Sequence, residues 1–141
     1  MTLNDKLTIA SVSIVECLVK ANKKELDTRY YRQLIDTLVD VCDVQASMKN
    51  YEPRTMLSSQ YQSSLAEAAA AFLACSNGLT NEEFLEYLNK VHYICDEDSR
   101  IRDAFTDFHG PHVSREDQLQ ATEMEFGTNA KILMQSILDL K

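Results

Sequence analysis

An all-α domain, a single bundle of five to six helices closed by a long C-terminal helix, is the architecture this sequence predicts, and three observations carry it. Apolar residues recur at intervals of three and four along almost the whole chain, and no segment of four or more residues alternates convincingly with period two. Only three Gly and two Pro occur in 141 residues, too few for a turn-rich β architecture. Hydrophobic residues make up 45% and charged residues 26%, a globular composition, and the length is that of one domain, so residues 1–141 are read as a single helical domain.

Each helix has its own local reason. Thr2, with Asp5 three residues on, opens the first, whose stripe of Leu7, Ile14, Val15, Leu18 and Val19 runs to Lys20, Lys23 and Lys24. Those lysines suit the negative end of the helix dipole. Asp27 or Thr28 caps a second helix, in which Tyr31, Leu34, Ile35, Leu38, Val41, Cys42 and Gln45 keep one face to about Lys49. Pro53 breaks the chain after it, because proline cannot sit inside a helix and disfavours the α conformation at Glu52.

A third helix is expected from near Ser58 or Ser59 to Asn77-Gly78, where glycine accepts the left-handed conformation of a C-terminal cap. Its face is Leu65, Ala69, Phe72 and Leu73, and the alanines around them let neighbouring helices approach closely. Thr80 and Glu83 form a capping box for the fourth helix, with Phe84, Tyr87, Leu88, Val91, Ile94 and Cys95 on its stripe. A short acidic helix from about Asp98 to Phe108 follows, ended by Gly110-Pro111. Ser114 and Asp117 then open the last helix. Leu119, Thr122, Phe126, Ala130, Leu133, Ile137 and Leu140 keep one register across Gly127, so a single helix from Ser114 to Leu140 is expected, at about 1 kcal/mol for the interior glycine. Leu38, Leu73, Leu88, Val91 and Leu133 are the expected centre of the core.

Charge separates the chain into regions. Residues 1–56 are neutral and 57–95 carry −3, whereas 96–126 carry −6 and the tail +1, for a total of −8. Clustered lysine and arginine, which a phosphate backbone demands, are missing from this pattern, so no direct nucleic-acid contact is expected. A basic protein surface suits it. The longest apolar run, Ala68 to Cys75, is far short of the roughly 18 residues that cross a bilayer. Asp5 and Glu16 interrupt the first apolar stretch, which is read as a mature helix and not as a leader. Cys17, Cys42, Cys75 and Cys95 show no paired spacing and fall on helical stripes, as buried thiols of a cytoplasmic protein would.

Two constellations have metal-ligating residue types. Glu82-Glu83-Phe84-Leu85-Glu86 has the form E-E-x-x-E and resembles the first half of the magnesium motif of all-helical nucleotide pyrophosphohydrolases of the MazG and dUTPase type. That resemblance implies carboxylate ligation of a divalent metal, with a later E-x-x-D completing the site. No such second half follows: Glu97 is succeeded three residues on by Arg100, and Glu116 by Leu119. His109 and His112, with Glu116 beyond them, form a second cluster, read as a surface loop because no cysteine lies near it to complete a zinc site. Neither a G-x-S-x-G elbow nor a glycine-rich phosphate loop occurs.

The functional expectation is therefore a non-enzymatic acidic protein, without cofactor or metal, that inhibits or adapts a protein partner with a basic surface. An immunity protein, an antitoxin or a phage anti-defence protein would be of this kind. The alternatives are the pyrophosphohydrolase-like enzyme and a structural subunit of a helical homo-oligomer. Asp96, Glu97, Asp98, Asp103 and Asp107 are the expected partner-binding carboxylates. Tyr51 and Arg54, in the loop around Pro53, are the expected aromatic and cationic anchors.

Overall fold

The computed structural model describes residues 2–23, 28–48, 65–110 and 112–140. Among these residues it contains seven helices and no strand: α1 (Leu3–Lys23), α2 (Thr28–Ser47), α3 (Leu65–Cys75), α4 (Asn81–Glu97), α5 (Ser99–Thr106), α6 (Arg115–Phe126) and α7 (Thr128–Leu138). The all-α class is as predicted, and the helix count exceeds five to six. The expected third-helix start near Ser58, Tyr51 and Arg54 lie outside the described residues. No helix among the described residues is long and apolar enough to cross a membrane.

Helix ends follow the capping chemistry written in the sequence. Thr2 and Asp5 exchange two hydrogen bonds, the Thr2 N–H to Asp5 Oδ2 at 3.0 Å and the Asp5 N–H to Thr2 Oγ1 at 3.1 Å. Thr80 and Glu83 do the same at 3.2 and 3.3 Å, and the Asp117 N–H donates to Ser114 Oγ at 3.2 Å. Each pairing occupies amides that the first turn of a helix leaves without an acceptor. Gly78, at φ 79, takes the left-handed turn after α3.

α3 packs against α1, α2, α5 and α7. Ala68, Ala69 and Ala71 are buried beside Phe72 and Leu73, and their small side chains admit several helices to one short element, as the alanine run predicts. Phe72 meets Phe105 of α5 with ring centroids 5.9 Å apart. α1 and α2 are antiparallel, since Gln45 near the end of α2 donates to Asn4 Oδ1 at 2.9 Å and to Thr8 Oγ1 at 3.2 Å near the start of α1. Gln45 thus holds its place on the buried stripe as a donor between helices. α2 and α4 run parallel: Arg32 pairs with Glu83 at 2.7 Å, and Asp36 with Lys90 at 2.5 Å, one turn further along α2 and two turns further along α4.

Leu38, Leu73, Val91 and Leu133 have no exposed surface. Leu88 is only half-buried, at the edge of the α4 stripe. Cys42, Cys75 and Cys95 are buried free thiols, and burial pushes Cys75 up to about 11. Cys17 departs from expectation. It is exposed, because it sits two positions from Val15, on the side of the helix opposite Val15, Leu18 and Val19.

The predicted long C-terminal helix is instead a hairpin. Arg115, at the start of α6, is ion-paired with Asp139, just past α7, and Lys131 lies 3.6 Å from Glu123. In a straight helix the first pair would be about 36 Å apart. The physical reason is core size: Leu119 and Phe126 of α6 and Leu133 and Ile137 of α7 all reach one hydrophobic cluster, and a straight rod would carry half of that stripe past it. Gly127, at φ 102 and ψ −179, makes the reversal.

Candidate functional site

An open groove of about 450 Å³ runs between α3 and α5 beside the acidic segment. α5 is only eight residues long and strongly two-sided. Ile101 and Phe105 are buried, while Arg100, Asp103, Ala104 and Asp107, spaced i, i+3, i+4 and i+7, form the groove wall. Leu65 and Ala66 from the first turn of α3 complete it. Leu65, Ala66 and Ala104 make an apolar floor, and Asp103 and Asp107, both exposed, stand one turn apart on the rim. No ion pair to either carboxylate occurs among the described residues.

The five expected carboxylates are therefore not equivalent. Asp103 and Asp107 share the groove. Asp96 is exposed and Glu97 half-buried at the end of α4, away from the groove lining. Asp98 is buried, with 1% of its surface exposed, and does not project to a partner. Its extended backbone separates α4 from α5: its N–H closes α4 on the Ile94 carbonyl at 2.9 Å, and its Oδ1 accepts from the Arg100 N–H at 3.1 Å to start α5. Asp98 thus sets the direction in which the Asp103 and Asp107 stripe faces.

A hydrogen-bonded chain fixes the other end of α5. Buried Gln118 of α6 donates from Nε2 to the carbonyls of Phe105 and Thr106 at 3.0 and 3.2 Å, a second donor for Phe105, which also accepts from the Phe108 N–H at 3.3 Å, and a donor for Thr106 at the end of α5. Buried Thr122 donates its hydroxyl proton to the Gln118 carbonyl at 2.8 Å and lies 3.1 Å from His109 Nε2. A hydroxyl has one proton, so in this contact Nε2 is the donor. The His109 ring also packs edge-on against Phe108, centroids 4.8 Å apart. The expected surface pair of histidines is thereby corrected: His112 is exposed, but His109 is half-buried and engaged.

Two of the E-E-x-x-E carboxylates, Glu83 and Glu86, are engaged as well, and Glu82 is exposed. Glu83 caps α4 and pairs with Arg32, and its bonds to Thr80, backbone first, hold its carboxyl below the usual range. Glu86 lies 3.0 Å from Lys90, which also binds Asp36. Among the described residues no group of three or more His, Cys, Asp or Glu is placed to hold a metal ion. On the buried side of α4, the Tyr87 hydroxyl donates to the Phe72 carbonyl at 2.6 Å. Burial raises the Tyr87 pKa well above its ordinary value.

The groove floor was not legible from charge alone. Its signal was present as the second stripe of α5, positions 100, 103, 104 and 107, but that Leu65 and Ala66 lie opposite depends on how α3 packs. No protein-family model matches this chain, and neither a curated protein nor a solved structure is significantly similar to it.

Proposed function

We propose that this chain is a non-enzymatic acidic binding protein that engages a basic protein surface through the α3–α5 groove and its acidic surroundings, acting as an inhibitor or adaptor. Immunity proteins, antitoxins and phage anti-defence proteins exemplify such action. The observation that carries the reading is the pairing of two exposed rim carboxylates, Asp103 and Asp107, with the apolar floor of Leu65, Ala66 and Ala104. Rim charge steers a cationic partner toward the site and sets its orientation, while apolar contact supplies the short-range term. The surrounding 96–126 segment, at −6, extends the attracting field.

The test begins with recovery of a basic partner on the immobilised protein at low salt. Its association is then measured against a variant with Asp96→Asn, Glu97→Gln, Asp103→Asn and Asp107→Asn, leaving Asp98 to cap α5. The association rate should fall about tenfold and lose most of its salt dependence, since the screening length shrinks from about 10 Å at 0.1 M to about 3 Å at 1 M. An unchanged rate with an unchanged salt slope would remove this face from the interface.

A further inference from the structure

The α6–α7 hairpin turns on one residue. Gly127 alone joins Phe126 to Thr128, at φ 102 and ψ −179, a conformation essentially confined to glycine. A Cβ built there would meet nothing nearer than Asn77 Oδ1 at 3.6 Å, so what disfavours a side chain is the backbone conformation and not crowding. The reversal also leaves α7 without a side-chain cap. The amides of Thr128, Asn129 and Ala130 lose the carbonyls of Met124, Glu125 and Phe126 that a continuous helix would offer them.

Across this hinge the sequence keeps one apolar register, from Leu119 through Phe126 and Ala130 to Ile137. The same stretch thus has two helical solutions, folded back or straight. In the straight form α7 leaves its own core and carries Ala130, Leu133, Met134 and Ile137, all fully buried in the hairpin, into solvent. It also leaves a vacant socket against α3, α4 and α5. The surface that fits that socket is α7 itself, supplied by a second copy.

We propose that this chain forms a closed homodimer by exchanging α7, with residues 115–138 straightened through Gly127 and each α7 seated in the other copy's socket. The contacts of the monomer recur between chains: the Asn129 Nδ2 bond to the Ser76 carbonyl, 3.1 Å in the monomer, and the Arg115–Asp139 pair. Only the hinge changes. The positive φ is released and the amides at 128–130 gain helical acceptors, against the entropy of association. The two straight helices cross antiparallel with residue 127 at the dyad. This inference is independent of the acidic-face reading.

The experiment places cysteines at the hairpin ends, Arg115→Cys with Asp139→Cys, in a Cys17→Ser background. It combines mass in solution with a non-reducing gel. Gly127→Ala should raise the association constant about tenfold or more, because alanine is the better helix interior residue in both copies and is strained in the hairpin. The species should have twice the 16.0 kDa monomer mass, and the engineered disulfide should link two chains. Inserting Gly-Ser-Gly after Phe126 should restore a monomer with an intrachain disulfide. With the native hinge, refolding at increasing protein concentration should raise the interchain-linked share. Gly127→Ala protein that is monomeric, dimeric with intrachain links only, or unfolded would overturn the proposal, as would native-hinge protein whose links stay intrachain at every refolding concentration.

Discussion

α6 and α7 are neighbours of nearly equal length joined by one residue, yet they are held in opposite ways. α7 buries Ala130, Leu133, Met134 and Ile137, all apolar, whereas the buried residues of α6 are Gln118 and Thr122, both polar. Met124 of α6 is 81% exposed. α7 is retained by loss of apolar surface from water, a large and non-directional term. α6 is retained by a cap at Ser114 and by directed hydrogen bonds to the end of α5, with Leu119 and Phe126 packing at the core margin. The contrast teaches that a helix with a poor apolar face can be positioned by side-chain donors to the carbonyls at another helix's end. It also makes α6 the element that fixes the C-terminal end of the acidic α5 stripe, opposite the Asp98 cap, and α7 the one that secures the core.

The comparison can be broken at three points. Leu133→Ala in α7 should cost about 2 to 5 kcal/mol in chemical denaturation, because it opens a cavity in a fully buried site; a loss under about 0.5 kcal/mol would show that α7 is not the apolar anchor. Gln118→Leu keeps the side-chain volume but leaves the Phe105 and Thr106 carbonyls without this donor, so a loss of about 1 to 3 kcal/mol is expected. The amides of α5 and of the 107–110 turn should exchange faster in that variant. Neutral stability with unchanged exchange would mean that packing alone holds α6. Smallest is Ser114→Ala, expected to cost about 1 kcal/mol through the lost bond to the Asp117 amide. The companion change Thr128→Ala should have a smaller effect, since no side chain caps α7. Equal losses would erase the difference between the two helix starts.

Much of this fold was legible because its causes are local. The Thr2, Thr80 and Ser114 caps each depend on residues three apart, and the buried stripes of α2 and α4 depend on a period of 3.6. Leu88 and Cys17 show where that reading thins out. A stripe has edges, and whether an edge position is covered depends on a neighbouring helix. Asp98 was visible as a carboxylate but not as a buried one, because the same residue type serves a helix cap and a solvated surface, and the distinction lies in how α4 and α5 meet.

By itself the sequence determined the all-α class, the capped starts at Thr2, Thr80 and Ser114, the close approach of neighbours to the alanine-rich α3, and the location of the negative charge. All of these follow from propensity, period and composition. The tertiary structure decided the rest: the reversal at Gly127, the apolar floor that Leu65 and Ala66 bring to Asp103 and Asp107, and the burial of Asp98 and engagement of His109. The reversal is the clearest case. A register of three and four describes a straight helix and a hairpin equally well, and only the finite width of the core, which both halves of the stripe must reach, selects the bend.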